Sequence, residues 1–250
     1  MMNNMTPVVK QLLIINIIFF IGSQLVPISY NYLAMFFPEN PSFEIWQPIT
    51  HMFMHGGIMH IAFNMIAMVS FGSALEHFWG GKRFLFFYIS CGLGSALLHT
   101  AVNYYSFQDT MNVLTANGYQ KADILKLLSE GPIDTRWQDL VSVSQFNSFI
   151  DAYRGTVVGA SGAIYGLLTA FAFMFPNAEL ALMFIPVPIK AKYFVPGILA
   201  VDLFLGFKGS SIFGSGGTGI AHFAHIGGAL TGFLMMLYWR NNKFNHKRWN

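Results

Sequence analysis

Within residues 157–166, VVGASGAIYG, Ser161 stands between small residues at the head of an uncharged run that lasts from Thr156 to Phe175. Alone, such a serine is a small packing residue at a helix crossing. Further polar groups change its meaning. His225, in GIAHFAHIGGALTGF, precedes Gly228 and Gly232 by three and seven residues, a single helical stripe whose small residues let another backbone approach closely. Gly162 and Gly166, four apart beside Ser161 and Tyr165, offer a matching surface. A neutral histidine beside a serine hydroxyl can take its proton and so create a nucleophile. Acyl transfer then needs donors aimed at the developing oxyanion. His60 and Asn64, four apart in GGIMHIAFNMIAM and thus about one turn from each other on one helix face, are suitable donors. A backbone N–H near Ser161, at a helix start with orphan donors, is another. Each group alone can be read as hydrogen-bonding glue between helices; together they have complementary chemical roles.

The elements that must position these residues are membrane spans. The chain has 250 residues, of which 54% are hydrophobic and only 10% charged, against about 25% charged in soluble domains. Six mainly apolar runs are long enough to cross a bilayer as helix or nearly so, at roughly 11–30, 57–78, 84–105, 157–175, 192–208 and 219–239. The expected fold is an all-α membrane protein of six transmembrane helices. The N-terminal run lacks a small-residue cleavage site and reads as the first helix. Before the fifth span, Pro186 and Pro188 argue for a bend or surface-lying segment. With the N-terminus cytoplasmic, inside segments hold Lys10, Lys82, Arg83, Lys190, Lys192, Arg240, Lys243, Lys247 and Arg248, leaving Lys121, Lys126, Arg136, Arg154 and Lys208 outside. That bias puts both termini in the cytoplasm, with 240–250 a basic tail. The net charge of +3 is therefore an orientation signal and not a nucleic-acid patch. Spans four and six both run from outside to inside. Ser161 lies about four residues into one and His225 about six into the other, at similar depth.

Residues 106–155 form the one sizeable polar region, a mildly acidic outer insertion between the third and fourth helices, expected to hold one or two short helices over the membrane surface. Ile124, Leu127 and Leu128, and Trp137, Leu140 and Val141, follow helical spacing there. The glycine-rich link 208–219 resists one fixed conformation. Cys91 is the only cysteine, which excludes an intramolecular disulfide and gives no support to a cysteine-rich metal site. His51 and His55 have metal-ligand spacing if helical, yet Gly56 and Gly57 interrupt that helix and no third ligand converges. Asp202, in the middle of span five, is a charge in lipid territory whose partner spacing cannot name. His222, on the His225 stripe, reads as structural and as the first rival for the base role. Trp79, Tyr104, Tyr105, Tyr238 and Trp239 read as interface anchors.

GASGAIYG around Ser161, HIAFN with His60 and Asn64, and AHIGGALTG with His225, Gly228 and Gly232 together resemble the rhomboid intramembrane serine proteases, in that family's order and over nearly the whole chain. The resemblance implies a single rhomboid-like membrane domain over 1–250 and an endopeptidase that cuts transmembrane segments of membrane proteins without a cofactor or metal. Ser161 would be nucleophile and His225 base, a dyad without a carboxylate third member. His60, Asn64 and the Ser161 N–H would form the oxyanion hole. Tyr165 would stack on the His225 ring, and Gly159 would give the substrate backbone room. The fifth helix and the 208–219 link would gate entry, and the home would be a cell (inner) membrane. Trp46 is followed by Gln47 where the family often has arginine, and Glu76 sits where it often has an acidic residue. A catalytically silent rhomboid-like protein that binds transmembrane helices is the alternative, and a proton-relaying transporter a distant third. Silent relatives usually lose the serine or the histidine; this chain keeps both.

Overall fold

A computed structural model of the chain describes residues 5–182, 185–208 and 220–241. Its helices are α1 (Pro7–Leu25), α2 (Ser29–Leu33), α3 (Gln47–Thr50), α4 (Ile58–Ala67), α5 (Ser73–Trp79), α6 (Gly81–Ala116), α7 (Lys121–Glu130), α8 (Val143–Arg154), α9 (Ser161–Met174), α10 (Ala191–Lys208) and α11 (Ile220–Asn241). A π turn at Met68–Gly72 joins α4 to α5 into one rod. Among the described residues, α1, the Ile58–Trp79 rod and α6 are long and apolar enough to cross a membrane, and α9 is a shorter apolar helix of 14 residues. The proline-bearing segment before α10 is an antiparallel hairpin of β1 (Glu179–Leu182) and β2 (Ile185–Lys190), pairing Glu179 with Lys190 and Leu180 with Ile189, so the chain is not purely helical. Pro186 and Pro188 sit in β2, where neither has to continue a helix.

Contacts define the two ends of the bundle. At one end the buried Glu76 carboxylate caps α1: it accepts from the Thr6 hydroxyl at 2.5 Å and from the Val8 and Val9 amides at 3.0 and 2.9 Å. These amides have no partner inside their own helix, and the negative charge complements the helix dipole. At the same end Trp79 packs edge-on against Trp239, with ring centroids 5.3 Å apart, and Phe78 lies 5.3 Å from Phe175. The start of α1 and the ends of α5, α9 and α11 are therefore together. Trp79 and Trp239 anchor each other as much as any membrane interface. Glu76→Ala leaves those amides without their acceptor, so the protein in detergent should lose about 2–3 kcal/mol of stability, read as a lower melting temperature; Glu76→Gln should lose less.

The polar region departs from its expected boundary. α6 continues through 106 to Ala116, and its 36 residues extend about 54 Å, well beyond a hydrocarbon core of about 30 Å. Asn103, Phe107, Thr110, Met111 and Leu114 are buried on one stripe of this extension. Phe107, Met111 and Leu114 meet α7, α8 and the 3-10 turn Thr135–Asp139 in a separate core around Trp137, Phe146, Phe149 and Tyr153. Phe107 and Phe149 stack at 4.5 Å. Ile124 and Leu128 lie on α7 as expected, whereas Trp137 to Val141 form a 3-10 turn and loop, because the helix starts later, at a Ser142–Gln145 capping box. Tyr104 stacks on Phe37 at 5.8 Å, while Tyr105 and Tyr238 are exposed.

The central helices meet backbone to backbone. Lipid chains give no hydrophobic drive for helix pairing, so close approach at small residues supplies the packing. A Cβ on Gly228 would overlap the Gly162 carbonyl oxygen, and one on Gly232 would lie 2.9 Å from the Gly166 Cα. α11 thus lies directly on α9. Cys91 and Ser95 of α6 fill the other side of Gly166 and Gly162.

Candidate active site

Ser161 is the first residue of α9, not four residues inside a helix. The apolar stretch before it spends its backbone bonds elsewhere. Val157 and Met35 exchange amide-to-carbonyl bonds of 3.0 and 2.9 Å, and the Gly159 amide donates to the His51 carbonyl at 2.9 Å. Gly159 then turns at φ +125°, a conformation side chains oppose. The helix begins with its first intrahelical bond from Ile164 to Ala160, leaving the Ser161 amide among the orphan donors.

His225 is the sixth residue of α11, and its Nε2 lies 3.0 Å from the Ser161 Oγ. The Tyr165 ring, one turn along α9 from Ser161, stacks on the imidazole with centroids 4.1 Å apart and planes 10° from parallel. The glycine contacts of Gly162, Gly166, Gly228 and Gly232 bring α9 and α11 close enough for that pair. His222 does not approach Ser161 in the way His225 does; its Nδ1 meets Asp202 Oδ1 of α10 at 2.5 Å. The same oxygen lies 3.3 Å from His225 Nδ1. The family resemblance implies no carboxylate beside the dyad, so this is a departure. Sequence had flagged Asp202 without a partner, because its link to α11 exists only in the packed helices.

His60 is the third residue of α4, and Asn64 follows it by one turn. The His60 Nδ1 accepts from the Gly56 amide at 3.4 Å, which leaves Nε2 to carry the proton. A Cβ on Gly159 would fall 2.7 Å from that Nε2 and 3.7 Å from Ser161 Oγ. Gly159 therefore keeps open the small space between the His60 imidazole and Ser161. Asn64 is buried and gives one amide hydrogen to the His60 carbonyl at 3.0 Å, retaining the other.

His51 and His55 are not gathered into a metal set. The His51 ring bonds the Gln47 carbonyl at 2.9 Å, and the His55 ring lies edge-on to His60 with centroids 5.0 Å apart. Gln47 accepts from the Phe36 amide and donates to the Ser42 carbonyl, tying the loop between α2 and α3 without an arginine. Burial pushes the His51 imidazole down to about 4, against the weaker opposing pull of the Gln47 carbonyl. Above pH 6.5 the ring is neutral folded and unfolded, and its full contribution to stability is present. As pH falls from 6.5 towards 4 only the unfolded chain takes the proton, so up to about 3 kcal/mol is lost. The melting temperature should drop over that window, and His51→Gln should flatten the drop. The expected gate 208–219, apart from Lys208, and the tail beyond Asn241 lie outside the described residues.

Comparison with known proteins matches this geometry to a family. The Rhomboid domain profile matches residues 42–116 and 140–242, which include Ser161, His225, His60 and Asn64. The human presenilin-associated rhomboid-like protein, mitochondrial, is 24% identical over 240 residues, 90% of this chain and 48% of the relative. An uncharacterized mitochondrial rhomboid protein of Schizosaccharomyces pombe is 28% identical over 166 residues, 60% of this chain and 40% of its own. Rhomboid protease GluP of Bacillus subtilis is 39% identical over 54 residues, 22% of this chain and 11% of its own. The chain thus spans about half the length of the full-length curated relatives it matches. Three of its described helices are long and apolar enough to cross a membrane, Ser161, His225 and His60 converge where α4, α9 and α11 meet, and the profile covers most of its length: the chain belongs to the rhomboid family.

Proposed function

We propose that this protein is an intramembrane serine endopeptidase that cleaves transmembrane segments of membrane proteins through an acyl-enzyme. The observation that carries this reading is the 3.0 Å approach of Ser161 Oγ to His225 Nε2, with the imidazole held flat against Tyr165. In the first step the Ser161 Oγ attacks the scissile carbonyl carbon while its proton passes to Nε2. The carbonyl oxygen becomes an oxyanion that the Ser161 N–H, the His60 Nε2–H and the second Asn64 amide hydrogen stabilise. Collapse breaks the C–N bond, and His225 returns the proton to the leaving amine. Water then attacks the ester with His225 again as base, releasing the acid and restoring Ser161. The chemistry needs no cofactor or metal.

The proposal includes six crossings, made by α1, the Ile58–Trp79 rod, α6, α9, α10 and α11, in one membrane domain with both termini cytoplasmic. Support comes from the shared end of α1, α5, α9 and α11, and from Lys82, Arg83, Lys190, Lys192 and Arg240 lying in segments at that end. The bilayer of residence is proposed to be a cell (inner) membrane; the names of the human and S. pombe relatives assign those proteins to mitochondria.

Purified protein reconstituted in lipid, mixed with a reporter bearing a kinked transmembrane helix, tests the reading. Cleavage within or at the edge of that helix is expected. Stable binding of the helix without cleavage would instead make the protein a silent, helix-binding rhomboid.

A further inference from the structure

The Asp202 carboxylate is a charge on a helix whose neighbouring residues Val201, Leu203 and Phe204 are exposed apolar side chains, yet it is itself 5% exposed. An unpaired carboxylate in such a place is costly. It is turned inward onto two imidazoles, 2.5 Å from His222 Nδ1 and 3.3 Å from His225 Nδ1. We propose that Asp202 is a positioning carboxylate for His225, so that α9, α11 and α10 together carry a Ser161–His225–Asp202 relay, with His222 as the second donor on the same oxygen. This rests on the reading of Ser161 and His225 as nucleophile and base.

Tautomer logic links the two faces of the His225 ring. A proton on Nδ1 directed at Asp202 leaves Nε2 bare, and Nε2 is the atom 3.0 Å from Ser161 Oγ. The carboxylate thus selects the form of the ring that can accept the serine proton. When Nε2 takes it, the imidazolium sits beside a fixed negative charge that stabilises it without itself being protonated. Tyr165 fixes the plane of the ring by stacking, and Asp202 fixes its rotation within that plane. Neither restraint alone does both.

The same three residues have ligand atoms close enough to suggest a metal. The distances favour proton sharing. A tetrahedral zinc with bonds of about 2.0–2.1 Å to nitrogen and oxygen separates its ligand atoms by roughly 3.3 Å, whereas His222 Nδ1 and Asp202 Oδ1 are 2.5 Å apart. Both nitrogens also aim at one oxygen, which suits two donors on one acceptor.

The proposal also joins α10 to the catalytic pair. Asp202 is the one group on α10 that reaches His225 among the described contacts, so a displacement of α10 that draws the carboxylate away would leave the His225 ring held in its plane by Tyr165 but free to rotate within it.

The test compares wild type, Asp202→Asn, Asp202→Glu and Ser161→Ala in the lipid-reconstituted cleavage assay. Asp202→Asn keeps the shape but loses the charge, and kcat should fall at least about 30-fold, within the roughly 10^4-fold known for this substitution in a Ser-His-Asp site. KM should stay within about twofold, since substrate binding is untouched. Asp202→Glu should recover part of kcat. A wild-type kcat in Asp202→Asn, or a lowered melting temperature with unchanged kcat, overturns the proposal. If the variant does not fold, nitrogen-15 histidine NMR of the wild-type protein decides: His225 protonated on Nδ1 supports the relay, and protonated on Nε2 overturns it. Absence of cleavage by wild type, or cleavage by Ser161→Ala, would remove the protease reading itself, while the NMR result still judges the Asp202–His225 bond.

Discussion

Ser161→Ala and His225→Ala should each lower cleavage of a transmembrane reporter by roughly 10^4- to 10^6-fold, and the double variant should be no worse than either single one. The size follows from the geometry. Ser161 Oγ lies 3.0 Å from His225 Nε2, and under the proposed function removing either member leaves no nucleophile or no base. Residues that act as one unit lose nearly everything with the first substitution, which is why the effects do not add. What survives is the polarising contribution of donors around His60 and the Ser161 amide. Both variants should fold, because alanine at either position leaves the glycine contacts between α9 and α11 intact. Initial rates in lipid and melting temperatures in detergent check the two halves of this expectation. Equal residual rates in the two single variants and the double would show that serine and histidine serve one step.

Gly228→Val should yield no folded protein, and Gly228→Ala should cost more than about 3 kcal/mol, at or beyond the upper end of overpacking penalties. Even a single added carbon would overlap the Gly162 carbonyl oxygen. That atom is backbone on the turn that carries Ser161, so it cannot swing aside as a flexible side chain would. Separation of α9 from α11 would also carry His225 away from Ser161, and any residual folded fraction should be inactive. Gly22→Ala is the control: the site has open space for the methyl group, and replacing a helical glycine should leave stability unchanged or slightly raised. Detergent melting curves separate the two. A Gly228→Ala protein as stable and active as wild type would contradict the close packing of α9 on α11.

Which residues come together was more legible in the sequence than the elements that frame them. Ser161, His225, His60 and Asn64 declared themselves because polar groups in apolar helices are few, and the glycines at 162, 166, 228 and 232 told which helices must touch. The start of α9 did not, since Val157 and Val158 extend the apolar run while Met35 and His51, more than a hundred residues earlier, take up the backbone bonds of Val157 and Gly159. α6 runs on past the expected third span for the opposite reason. Gln108, Asp109 and Asn112 lower the hydropathy after 105, but Phe107, Met111 and Leu114 keep the helical stripe going into a core outside any bilayer span. Asp202 was visible as an anomaly and not as a partner. Its distance to His225 depends on how α10 leans on α11, which no local pattern encodes.

Labelling by a fluorophosphonate, followed by mass spectrometry of the peptide adducts in lipid, tests the central claim most directly. The reagent reacts only with a serine whose proton a neighbouring base removes. A single adduct on Ser161 is expected, lost in His225→Ala and retained in a control remote from the site such as Gly22→Ala. An unlabelled Ser161 in protein that still cleaves its reporter, or an adduct undiminished by His225→Ala, would contradict it.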